Sequence, residues 1–90
     1  MKSLALKKFI DLIKIKGEAL ATKFLTLDYN RDGQLNVDGL IAALLTQEFG
    51  FKVDEVKEVF SIVKKGDLFY YIDYLLTINP NLRIVLLNRT

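Results

Sequence analysis

Read from its start, the chain alternates apolar and polar residues with the period of a helix. Leu6, Phe9, Ile10, Ile13, Gly17, Leu20, Phe24 and Leu27 form an i, i+3, i+4, i+7 stripe, which predicts an amphipathic helix with Ser3 placed to cap it. Gly17 lies on the stripe, where glycine costs about 1 kcal/mol relative to alanine. The pattern therefore allows one long helix bent there or two helices meeting there, and a close helix crossing would account for the glycine. Lys2, Lys7, Lys8, Lys14 and Lys16 give this stretch a basic surface, read as a solvated face around a core stripe in preference to a membrane-surface or partner-binding face.

The stripe breaks at Asp28 and resumes after Gly39. Leu40, Ala43 and Leu44 predict a second helix from about Val37 to Glu48, stopped by Gly50. Val56, Val59, Phe60 and Val63 predict a third from about Asp54 to Lys64, with Asp54 as its N-cap and Val53 as half of a hydrophobic staple. Lys64 to Asp67 interrupts the pattern, and FYYIDYLL then leads into a fourth helix, about Tyr71 to Ile78. Asn79-Pro80 is an N-cap followed by proline at a first helical position, so a short helix from Pro80 to about Leu87 is expected. Leu82 to Leu87 is also compatible with an extended segment.

The interruption between the first two helices reads DYNRDGQLNVDG, and it resembles the calcium loop of the EF-hand family. Asp28, Asn30 and Asp32 stand at loop positions 1, 3 and 5, Gly33 at 6 and Leu35 at 8. The resemblance implies calcium ligation by the side chains of Asp28, Asn30 and Asp32, by the carbonyl of Gln34, and by Asn36 directly or through water. It fails at position 12, where a bidentate glutamate should close the cage and Gly39 stands instead. Asp38 is one residue early, and adjacent helical side chains diverge by about 100°. With only Asp28 and Asp32 charged, any site would be a single weak one.

The same resemblance makes Phe69, Tyr71, Asp73 and Tyr74 positions 8, 10, 12 and 13 of a second loop, whose positions 1, 3 and 5 would be Ile62, Lys64 and Gly66. Such a loop holds no calcium in the usual way. The implied fold is all-α: residues 1–90 as a single paired EF-hand helix-loop-helix domain, with an extended N-terminal helix (1–18), a first unit (19–48), a degenerate second unit (53–78) and a short C-terminal helix or tail (79–90). EF-hands pair through an antiparallel contact at position 8, here Leu35 with Phe69. Dockerin modules share the loop opening but carry two good loops and a position-12 ligand, which this chain lacks.

Composition narrows the function. With neither Cys nor His, the chain builds no Cys/His zinc site, Ser-His-Asp triad, thiol nucleophile or disulfide framework. Oxygen remains as the metal donor, which suits hard cations such as calcium. Asp67, Asp73, Tyr70, Tyr71 and Tyr74 cluster in sequence without a nameable nucleophile and base, so no enzyme is expected. A net charge of +2 is too small for nucleic-acid binding, and no stretch is long and apolar enough for a transmembrane segment, so a cytoplasmic protein is expected.

The apolar surplus, at 51% of residues, favours an interaction module that grips an amphipathic helix of a protein partner, like a calmodulin lobe or light chain. Leu44, Leu45, Phe60, Ile62 and Leu75 are the candidate groove residues, with core packing ranked ahead of that use for each. A single Met favours one fixed partner over promiscuous binding. The alternative is a calcium sensor working through the first loop, and self-association, with the apolar tail or the first helix completing a neighbour's groove, is a further expectation.

Overall fold

The computed structural model describes residues 3–87. Lys2 and the outermost tail, which the expectations above include, lie outside the described residues. The architecture is all-α: α1 (Leu4–Leu27), α2 (Val37–Leu44), α3 (Val53–Val63), α4 (Tyr71–Ile78), a 3-10 turn (Pro80–Leu82) and α5 (Arg83–Leu87). Among the described residues no helix is long and apolar enough to cross a membrane.

Ser3 caps α1, its Oγ accepting from the Leu6 amide at 3.1 Å. The helix runs through Gly17 but is broken beside it, at Lys16, where φ −121° and ψ 34° leave the helical region. The cause is the crossing that the glycine permits: a Cβ on Gly17 would stand 3.0 Å from both Leu82 methyl carbons and 3.2 Å from Asn79 Nδ2. Asn79 Nδ2 also donates to the carbonyl of Ile13 at 3.2 Å, one turn before the break. The tail is thus helical, a 3-10 turn leading into α5, and Asn79 caps that turn by accepting from the Asn81 amide at 3.2 Å.

Two helix boundaries differ from expectation. α2 stops at Leu44 instead of Glu48, because the next residues turn to bring Phe49 and Phe51 into the core. The Gly50 amide bonds back to Thr46 O at 2.9 Å and the Phe51 amide to Leu44 O at 3.3 Å, with Gly50 at φ +70° where glycine carries no Cβ penalty. α3 begins at Val53, so Lys52 and not Asp54 holds the N-cap position; Glu55 reaches back to accept from the Lys52 amide at 3.0 Å.

The helices meet around an aromatic cluster centred on Phe69. Its ring lies 6.0 Å from Phe9, 6.1 Å from Phe24 and 5.5 Å from Tyr74, all edge-on, the geometry that aromatic quadrupoles favour. Phe69 is also where the two helix-loop-helix units join: its amide donates to Leu35 O at 2.8 Å and accepts, through its carbonyl, from the Leu35 amide at 2.9 Å. Burial claims three of the expected groove residues. Leu44 and Leu75 are fully buried and Phe60 is 8% exposed, all within the core, while Leu45 and Ile62 stay exposed. The groove expected between the units is filled by the protein's own side chains.

Candidate functional site

The segment between α1 and α2 is folded by its own polar residues. Asp28 ends α1, its amide donating to Phe24 O at 3.0 Å, and the chain then reverses through Arg31 at φ +55° and Gly33 at φ +77°. Both residues occupy the left-handed region, which costs a non-glycine residue about 1 kcal/mol or more, so something must hold the turn. That something is the Asp28 carboxylate. Oδ1 accepts from the Asp32 amide at 3.3 Å and Oδ2 from the Gly33 amide at 2.9 Å. Asp32 repeats the device one step on, Oδ1 accepting from the Gln34 amide at 3.1 Å, and Asn36 caps α2 by accepting from the Gly39 amide at 2.8 Å.

Asp28 is 4% exposed and is the one buried charged residue among those described. Its third partner comes from far along the chain: the Tyr71 hydroxyl donates to Oδ2 at 2.7 Å. Tyr71 is itself fully buried at the start of α4, with its ring 5.4 Å from Phe24. Burial pushes the Asp28 carboxyl up, but the Tyr71 hydroxyl and the amides of Gly33 and Asp32 together outweigh it and hold the group below its ordinary value. Three donors of the chain itself thus converge on this one carboxylate.

All five expected ligands, Asp28, Asn30, Asp32, Gln34 and Asn36, line one open depression of about 510 Å³, together with Asp38 and Gly39. They converge on one place, yet three of them already serve backbone amides. Among the described residues no group of three or more Asp, Glu, His or Cys side chains stands where it could hold a metal ion. Calcium takes six to eight oxygens, and Gly39 brings no side-chain oxygen to the depression it lines. A Cβ on Gly39 would meet Leu35 Cδ2 at 3.2 Å, so the residue that would carry the closing carboxylate is pressed against the loop-joining leucine.

The second connection offers less. Lys65 and Leu68 bond each other's backbones, at 2.8 and 3.3 Å, in a tight turn with Gly66 at φ +64°. The turn takes up the backbone amides and carbonyls of Lys65 and Leu68.

Tyr71 is the site residue that sequence reasoning missed, having been placed as position 10 of the second loop and in the carboxylate and tyrosine cluster, with no link to Asp28. The signal was the register. If Leu35 opposes Phe69 in antiparallel fashion, Tyr71 lies opposite Gly33, within reach of the carboxylate that Gly33 contacts.

No protein-family model matches the chain, and no curated protein or solved structure matches it either.

Proposed function

We propose that the chain is an EF-hand-like pair of helix-loop-helix units that works as a protein-interaction module, binding a helix of a larger partner without regard to calcium. The observation that carries the metal-independent half is the Asp28 carboxylate, whose oxygens accept from Gly33, Asp32 and Tyr71. A loop whose leading acid is held this way keeps its shape through the protein's own donors. The interaction half is supported by apolar surface the fold leaves uncovered, with Leu4, Ile15 and Ile84 each at least three-quarters exposed.

The second reading is a calcium-binding regulator, favoured by the gathering of Asp28, Asn30, Asp32, Gln34 and Asn36 around one depression. Linkage separates the two. A weak site with a Kd of about 100 μM would add about 2.7 kcal/mol of stability at about 10 mM calcium. Urea unfolding in chelator and in calcium is expected to agree within about 0.5 kcal/mol. A larger gain, with amide shifts reaching from the loop into α2 and α4, would support the regulator instead.

A further inference from the structure

α1 consists of two pieces. Residues 17–27 belong to the first helix-loop-helix unit, whereas residues 4–15 run past the break at Lys16 and lie across the start of α3 and of α4. There Ala5, Phe9 and Ile13, spaced i, i+4, i+8, are buried in the space between the units. Phe9 is the anchor: it stacks on Tyr74 at 5.9 Å and meets Phe51 and Phe69 edge-on at 6.4 and 6.0 Å. Around this apolar seam the polar ties pair a basic segment with an acidic or carbonyl-bearing rim. Lys8 Nζ bonds Glu55 at 3.1 Å and Gly50 O at 2.6 Å, Ser3 bonds Glu58, and Lys16 Nζ bonds Glu48 O at 3.2 Å.

We propose that residues 4–15 are an internal ligand seated in the groove between α3 and α4, and that the groove's external partner is a basic amphipathic helix with the same aromatic and aliphatic residues four apart, which takes its place. This rests on the interaction-module reading and names its site, partner chemistry and regulation. The ties at the rim are exposed or half-exposed, the kind worth least in water, so apolar seating decides occupancy. The break at Lys16 supplies the joint. Asn79, by donating to Ile13 O, gives the segment a helix end of its own when seated. Partner affinity is then the intrinsic affinity multiplied by the fraction of time the segment is out, so firmer seating weakens partner binding.

The test uses the full chain and a fluorescein-labelled peptide of residues 3–16. In wild-type protein, hydrogen exchange at residues 9–13 is expected to be at least about tenfold faster than at Val56 to Phe60, reporting detachment of the segment without global unfolding. The peptide is expected to bind the Phe9→Leu variant at least about tenfold more tightly than wild type, because the resident competitor is weakened. A peptide with Ala in place of its Phe is expected not to compete. Equal exchange in the two segments, or peptide binding that is absent or the same in both proteins, overturns the inference. Metal independence is read from the unfolding experiment in calcium, so the two conclusions fail separately.

Discussion

The Tyr71 hydroxyl and the Asp28 carboxylate, 43 residues apart in sequence, form a buried 2.7 Å hydrogen bond that ties the start of α4 to the end of α1. With the Leu35–Phe69 bridge, it fastens one helix-loop-helix unit to the other from inside. A hydrogen bond to a charged acceptor contributes about 1.5–3 kcal/mol. Tyr71→Phe keeps the ring against Phe24 and removes this bond, so it is expected to lower stability by about 1–3 kcal/mol in urea unfolding. A loss below about 0.5 kcal/mol would show that the backbone amides alone hold the carboxylate.

Acid should unfold the protein through the same group. The Asp28 carboxyl ionises below its ordinary value in the folded state, despite burial, because the Tyr71 hydroxyl and the Gly33 and Asp32 amides favour the charged form. A depressed folded value means stability that is present above the unfolded value of about 3.9 and lost as pH falls through the folded one. Glu55, lowered by the Lys52 amide and then by Lys8, acts in the same direction from the surface. Unfolding midpoints are expected to be flat from about pH 5 to 7 and to fall below about pH 4, with a shallower fall in Tyr71→Phe. The same slope in both proteins would place the acid sensitivity elsewhere.

Gly39→Glu tests the loop alignment. It supplies a carboxylate at the closing position, and at the third residue of α2 it also pairs with Asn36 as a capping box. Against this stands the 3.2 Å approach to Leu35 Cδ2, which must give by a few tenths of an ångström. The expected result is a calcium-dependent rise in unfolding midpoint that wild type lacks, abolished by adding Asp28→Ala. Without any calcium response, the register that makes Gly39 the closing position is wrong.

Crowding at the α1 break is open to direct measurement. Gly17→Val places a branched Cβ against Leu82 and Asn79 and is expected to cost about 1–3 kcal/mol from overpacking, even though valine suits a helix better than glycine. Denaturant unfolding beside the exposed Glu18→Val change gives the comparison. If Gly17→Val matches it, the contact with the tail is not tight in solution.

Sequence alone determined where the helices lie and which faces they bury. The stripe from Phe9 to Phe24 and the Asn79-Pro80 start are local patterns, written in side-chain period and backbone preference, and the fourth helix spans Tyr71 to Ile78 as read. The loop from Asp28 to Asn36 was legible for a related reason, since its Asp and Asn side chains fold it by reaching amides a few residues away. What only tertiary structure decided depends on neighbours distant in sequence. α2 ended early because Phe49 and Phe51 had a core to enter, and Lys16 left the helix where Leu82 came up to Gly17. Asp28 found Tyr71, and Leu44, Phe60 and Leu75 went to the core and not to an open groove, because two units met in one register and Phe9 filled the space between them. Periodicity tells a residue which side is apolar; it carries no record of what will arrive there.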